Sequence, residues 1–78
     1  MPTAYVMVNC DLGMESEQEA IKKLKNVPGV IDVNEVNGVY DIVVKITSDT
    51  LDSLKETITR DIRTIDVVRS TMTLIMIE

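Results

Sequence analysis

The 78-residue sequence contains no histidine, no phenylalanine and no tryptophan, and its only cysteine is Cys10. Without histidine, the Ser-His and Cys-His pairs that activate a nucleophile cannot be assembled. A single cysteine excludes a disulfide within the chain and suits a reducing cytoplasm, so we expect Cys10 to be a small apolar residue at a strand end. There is also no glycine-rich loop that could cradle a phosphate. We therefore expect no enzyme activity, no bound metal and no cofactor.

Basic residues are scarce as well, because 8 Lys and Arg stand against 13 Asp and Glu, which gives a net charge of −5. This balance argues against direct binding to nucleic acid or to anionic membranes, which both favour basic surfaces. The N-terminus does not resemble a signal peptide, and no apolar run approaches the ~20 residues of a membrane span. We expect a soluble, cytoplasmic protein with a single domain over residues 1–78, a size at which self-association is a common source of stability.

Apolar and β-branched residues concentrate in four segments that predict β-strands. These segments are residues 4–10, 30–36, 40–47 and 67–77. After the first strand, Ser16 and Glu19 match a capping box at the start of a helix, and a Pro-Gly pair at 28–29 would end that helix. Asn37 and Gly38 lie between the second and third strands and predict a two-residue type I′ turn, which needs positive φ at both central positions.

A second helix is predicted between the third and fourth strands, with Ser48 or Asp49 as its N-cap. Its apolar residues fall at helical spacing on one face. They are Leu51, Leu54, Ile58, Ile62 and Ile65. The element order is then β-α-β-β-α-β. Two split β-α-β units joined by a hairpin predict a ferredoxin-like α+β sandwich, with a four-stranded antiparallel sheet and both helices on one face.

The last strand is apolar on both of its sides, although a sheet with one face in water usually alternates apolar with polar residues. Leu74 and Met76 lie on one side, and Ile75 and Ile77 lie on the other. The first strand has a similar pattern. Two such sheets packed face to face would bury both sides, so we expect a dimer or a larger assembly. An apolar strand that is covered by a loop is the alternative.

Tyr40 and Asp41 follow the Asn-Gly pair directly, where plain apolar residues would have served a strand. The alternation of the third strand puts Tyr40 on one face with Ile42 and puts Asp41 on the other face with Lys45. That second face is the one that we expect an assembly to bury, so the carboxylate needs a partner. Either an ion pair with Lys45 or the ammonium group of a bound ligand would supply it.

These motifs resemble the effector-binding domain of the leucine-responsive/AsnC transcription regulators, called the RAM domain. Gly38, Tyr40 and Asp41 match the family's pattern of Gly, one residue, Tyr or Phe, and Asp before an apolar strand. Thr71 and Thr73 match the Thr-x-Thr of its last strand. The resemblance covers essentially the whole chain. Full-length members carry an N-terminal helix-turn-helix domain, and nothing similar precedes the first strand, so we expect a stand-alone RAM module without its own DNA-binding domain.

The resemblance implies an amino-acid-binding module in the regulation of transcription or of amino-acid metabolism. In the family, domains pair through their sheets, dimers form rings that commonly have eight subunits, and effectors bind between dimers near the hairpin. Backbone N–H groups and hydroxyls would then bind the carboxylate of the effector, and Asp41 would accept from its ammonium. The implied ligand-binding residues are Asn37, Gly38, Val39, Tyr40, Asp41, Ser70, Thr71 and Thr73. Full-length regulators of the family are further expected partners.

Three alternatives remain open at this point. A purely structural oligomerisation module would bind no ligand, and Asp41 would pair with Lys45 or with Arg69 across the sheet. An ACT domain, which is a regulatory part of metabolic enzymes with the same topology, would bind its ligand near residues 11–14. A small enzyme that uses carboxylates, as some dimeric ferredoxin-like barrels do, is disfavoured by the absence of histidine.

Overall fold

The computed structural model describes residues 1–77, apart from the side chain of Met14. Glu78, the last residue of the predicted domain, lies outside the described residues. The elements in chain order are β1 (Thr3–Cys10), α1 (Met14–Lys25), β2 (Val30–Glu35), β3 (Ile42–Thr47), α2 (Leu51–Thr57), a π-helical segment (Ile58–Ile62) and β4 (Val68–Ile75). The strands form one sheet in the order β2-β3-β1-β4, and every neighbouring pair is antiparallel. This is the predicted ferredoxin-like fold.

The core lies between the sheet and both helices, so that one face of the sheet is covered and the other is open. Alternate residues of β1 and β3 are buried, as period-two strands require. They pack with Ala20 and Leu24 of α1 and with Leu54 of α2. The buried residues of the central strands are Ala4, Val6, Val8, Cys10, Ile42, Val44 and Ile46. Their alternation confirms the predicted faces of these strands.

The predicted starts of both helices are wrong by a few residues. Helix α1 begins at Met14 without a side-chain cap, because Gly13 with φ 116° lets the chain enter the helix before Ser16. Helix α2 is capped by Thr50, whose hydroxyl accepts from the Ser53 N–H at 3.0 Å. Ser48 instead bonds the Ser53 hydroxyl at 2.7 Å. Ser48, Asp49 and Thr50 are all common N-cap residues, and local sequence does not choose among them.

The connection between β2 and β3 is not the predicted type I′ turn. Neither Asn37 nor Gly38 has positive φ. The strands end earlier than predicted, and the Val36 N–H donates to the Asp41 carbonyl at 2.9 Å to close a longer loop. A reversal that is spread over residues 37–40 does not require left-handed backbone at any of them.

The second helix continues into the π-helical segment, where the Arg63 N–H donates to the Ile58 carbonyl at 3.0 Å. Ile58 and Ile62 are both buried, as predicted. Leu51, which was predicted on the same face, is exposed at the first turn of α2. The segment brings Arg63 to the start of the connection that leads into β4.

Candidate functional site

Asp41 fixes the end of β1 through its side chain. Oδ2 of its carboxylate accepts from the Cys10 N–H at 3.0 Å, and its own N–H donates to the Val8 carbonyl at 3.0 Å. β3 begins only at Ile42, so no β3 residue lies opposite Cys10. The carboxylate therefore takes the place of a strand carbonyl and satisfies a backbone donor that the sheet leaves behind.

The predicted ion-pair partners of Asp41 lie elsewhere. The Lys45 ammonium lies over the ring of Tyr5, 5.8 Å from its centroid. Arg69 Nε is 3.8 Å from Asp11 Oδ1. Among the described residues Asp41 therefore forms neither of the two ion pairs left open as alternatives, and its carboxylate accepts from the Cys10 N–H instead. Among the residues that the structure describes, none donates to the second carboxylate oxygen, Oδ1.

Cys10 lies directly beside this carboxylate and is only 5% exposed. Burial raises the pKa of the thiol to about 11, and the nearby carboxylates of Asp41, Glu17 and Asp11 add to the effect. The thiol is therefore protonated and a poor nucleophile at neutral pH. This environment suits the predicted role of Cys10 as a small apolar residue.

The hydroxyl residues of β4 lie on two different faces of the sheet. Ser70 is opposite Asn9 on the open face, and its Oγ accepts from the Asn9 amide at 3.3 Å. Thr71 and Thr73 are opposite Val8 and Val6, which face the helices. Asp41 and Ser70 thus flank the same end of β1 from its two neighbouring strands.

The remaining candidate residues lie in the loop between β2 and β3. Asn37, Gly38 and Val39 are exposed, and Tyr40 and Asp41 are half-buried. None of the five lines the groove described next. A single chain therefore presents the loop and the threonines of β4 on separate surfaces.

A groove of about 690 Å³ lies between β4 and the helical layer of α2 and the π-helical segment. Ser70, Thr71 and Thr73 line it, together with Lys55, Arg63 and Arg69. Lys55 and Arg63 are groove residues that the sequence reasoning missed. Only the packing of α2 beside β4 brings them to the threonines. The one signal in the sequence was that Lys55 and Arg63 lie eight positions apart, which is a helical spacing, on a polar face.

The open face of the sheet carries several apolar side chains. Tyr5 and Met7 of β1 lie opposite Leu74 and Met72 of β4 on this face. Met72 is 45% exposed and Leu74 is 49% exposed. Val43 of β3 extends the same surface beside Met7. We call these five residues the open-face patch.

No cluster of three or more Cys, Asp or Glu side chains within residues 1–77 could hold a metal ion. No helix in this range has the length and apolar character needed to cross a membrane.

The sequence and the fold of this chain are similar to those of several known proteins. A family model described as "Lrp/AsnC ligand binding domain" matches residues 3–78. The crystal structure of FFRP-DM1 is 36% identical with a TM-score of 0.92, and the match covers 99% of this chain and 100% of that one. Escherichia coli AsnC is 25% identical with a TM-score of 0.88, and the match covers 99% of this chain but 51% of AsnC. This chain therefore spans about half the length of that regulator.

A third similar structure is the complex of the Neisseria meningitidis transcriptional regulator NMB0573 with L-Met. It has a TM-score of 0.88 over 99% of this chain and 50% of that one. Its 9% identity shows a shared fold alone. No curated protein matches the sequence.

Proposed function

The chain belongs to the Lrp/AsnC ligand-binding domain family, and on that premise we propose that it binds an amino acid between its subunits and thereby controls assembly. The family makes it a regulatory effector-binding domain of the transcription-regulator type. The identity of the effector and the form of the assembly are the parts that we propose.

The carboxylate of Asp41 is the observation that carries the proposal. Its Oδ2 is held by the Cys10 N–H, so the group has a fixed position at the root of an exposed loop. Its Oδ1 accepts no hydrogen bond from the described residues and is available for the ammonium of an amino acid. A charged acceptor that is already oriented loses little freedom when it binds such a donor.

The α-carboxylate of the amino acid needs donors as well. Backbone N–H groups of Asn37, Gly38 and Val39 lie in the exposed loop, and the hydroxyls of Ser70, Thr71 and Thr73 lie on β4. None of these loop residues lines the groove that the β4 hydroxyls line, which supports a site completed by a second subunit. Tyr40, half-buried beside Asp41, would contact the side chain of the ligand. L-Met in the NMB0573 structure supports the choice of an amino acid.

The open-face patch supports the proposed assembly. Its side chains on three strands are wholly or partly exposed to water in a single chain, and a second sheet packed on them would remove them from water. We propose a homodimer through this face and a ring of dimers, with eight subunits as the expected number. A ligand that binds only between dimers would stabilise the ring by mass action.

This module would act without catalysis, and its net charge of −5 disfavours direct contact of these residues with DNA. It would report amino-acid levels through the state of its ring, or by joining full-length regulators of the same family through the open-face patch. Transcription or amino-acid metabolism would be the regulated process. The alternative is an assembly module without any ligand, in which Asp41 serves only to hold the end of β1.

Native mass spectrometry with each of the twenty amino acids tests the proposal. We expect an even-numbered assembly that gains mass or stability with particular amino acids. Asp41→Asn keeps an oxygen acceptor for Cys10 but loses the charge, so it should abolish that response and retain the dimer. Asp49→Asn, which removes an exposed carboxylate elsewhere, is the matched control. A dimer that is indifferent to all twenty amino acids would leave only the structural alternative.

A further inference from the structure

The groove between β4 and the helical layer differs in charge from the rest of the molecule. Three cationic residues line it, and they are Lys55, Arg63 and Arg69. None of the lining residues is an Asp or a Glu, although the chain carries 13 acidic residues and only 8 basic ones. A concave surface with cations alone attracts anions, because its walls concentrate the field of those charges.

Two of the three cations have no carboxylate partner within the described part of the chain. Arg69 lies 3.8 Å from Asp11, but Lys55 and Arg63 have no carboxylate within ion-pair distance. By contrast, Arg60, three residues before Arg63, is paired with Glu56 at 3.1 Å outside this groove. The guanidinium of Arg63 can therefore offer its paired donors to a planar carboxylate.

The β4 wall of the groove adds neutral donors. Thr71 and Thr73 point their side chains to the helix side of the sheet, and Thr59 faces them from the helical layer. The Met76 N–H donates to the Thr3 carbonyl at 2.9 Å, so the backbone groups of Met76 point towards β1. In an antiparallel ladder this direction alternates along the strand, so the backbone groups of Thr71 and Thr73 point away from β1. β4 is an edge strand, and these groups are open to a ligand.

Apolar side chains complete the groove. Ile58, Val68 and Ile75 line it between the polar groups. Its volume of about 690 Å³ is typical of a small-molecule site. The combination suits a ligand with an anionic head and a short hydrocarbon body.

We propose that this groove binds a small aliphatic carboxylate that lacks an ammonium group, such as a 2-oxo acid. Arg63 and Lys55 bind the carboxylate, the threonine hydroxyls donate to its oxygens or to the keto oxygen, and the apolar residues contact its aliphatic chain. An α-ammonium group in the same place would face three cations and no carboxylate, and the resulting repulsion selects against the amino acid. The inference does not depend on the proposed amino-acid site around Asp41, although the two share Thr71 and Thr73.

Isothermal titration calorimetry at low ionic strength tests this with a matched pair of ligands. The probes are 4-methyl-2-oxopentanoate and L-leucine, which differ at the α-carbon, together with inorganic phosphate as a simple anion. We expect binding of the oxo acid to weaken by about tenfold or more in Arg63→Gln, since a charge-assisted pair is lost. Lys55→Gln should weaken it to a smaller extent. Arg60→Gln removes the same charge three residues earlier in the chain and outside the groove, and it should bind like the wild type.

Each other result overturns the inference. No binding of the oxo acid, or equal losses in Arg63→Gln and Arg60→Gln, would remove the groove as its site. Phosphate binding as tightly as the oxo acid would show a general anion site with no role for the apolar residues. Binding of L-leucine that is abolished by Arg63→Gln and unchanged in Asp41→Asn would assign the groove to amino acids instead. If only Asp41→Asn removes L-leucine binding and the oxo acid does not bind, this inference fails while the amino-acid proposal stands.

Discussion

Replacing Asp41 by alanine should destabilise the fold, because it takes the acceptor from the Cys10 N–H. An unpaired buried donor costs about 1–3 kcal/mol, and bonds to charged acceptors lie in the upper part of such ranges. Asp41 is half-buried, so water would reach part of the vacated position. We therefore expect the free energy of unfolding to fall by about 1–2 kcal/mol.

Asp41→Asn separates this structural role from ligand binding. Its amide oxygen can still accept from Cys10, so the free energy of unfolding should fall by less than about 1 kcal/mol. Its lost charge, however, should remove the attraction to an ammonium. A variant that folds like the wild type and fails to bind amino acids would locate the ammonium at this position.

Urea unfolding followed by far-UV circular dichroism measures the effect. With a slope of about 1 kcal/mol per molar urea for so small a chain, the alanine variant should unfold at a midpoint about 1–2 M lower. Protein concentration must be held constant, since assembly adds to apparent stability. Asp49→Ala is the control for loss of one negative charge. A midpoint for Asp41→Ala equal to that of the control would refute the role assigned to the Cys10 hydrogen bond.

The thiol gives two further predictions, and the glycines give a third. The pKa of Cys10 in the folded protein is about 11, against an ordinary 9.0. The contribution of the thiol to stability is therefore complete below about pH 9 and is lost as the pH rises towards 11. Urea unfolding as a function of pH should show this loss in the wild type and not in Cys10→Ala. Asp41→Asn should lower the pKa of Cys10 and speed its alkylation by iodoacetamide near pH 10; an unchanged rate would contradict the electrostatic contribution of Asp41. A Cβ on Gly29, at φ 88°, would overlap the Thr47 carbonyl oxygen, whereas a Cβ on Gly38 meets nothing within 4 Å. Thermal unfolding should therefore show a large loss of stability in Gly29→Ala and a change within about 1 kcal/mol in Gly38→Ala. Equal losses in the two variants would indicate positive φ at Gly38 and would favour the type I′ turn.

Periodicity in the sequence was sufficient to predict the layers of the fold. The alternation of Ile42, Val44 and Ile46 fixed which face of β3 meets the helices, because a slip of one residue would have put all three into water. The helical spacing of Leu54, Ile58 and Ile62 did the same for the second helical layer.

Local signals failed where tertiary geometry chooses among similar residues. Ser48, Asp49 and Thr50 are all good N-caps, and in the structure the last of them caps α2. Asn37 and Gly38 favour a tight turn, but the Cys10 N–H recruits Asp41 and thereby sets where β3 begins. The sequence around the loop does not show that Asp41 will accept from a backbone N–H on a distant strand.

The candidate site was predictable only in part. Asp41 stood out because a carboxylate at the root of a strand needs a partner, but a backbone amide was not among the partners considered. The cations of the groove could not be found in this way, because Lys55 and Arg63 join Thr71 only through the packing of α2 beside β4. Whether Asn37 to Tyr40 contact a ligand stays a prediction.

The π-helical segment sets the helical phase of everything that follows it. An α-helix advances about 100° per residue, so one extra residue in a turn rotates the next side chain by about that angle relative to a regular helix. Ile62 and Arg63 both come at the end of this wider turn, so the turn sets the direction of the buried side chain and of the groove cation together. A relative that lacked one residue between positions 58 and 62 would rotate both side chains, so that the equivalent arginine would turn away from β4 and the equivalent isoleucine would leave the core. In this fold, the length of a single turn can therefore change which ligands the groove accepts without any change in the residues that line it.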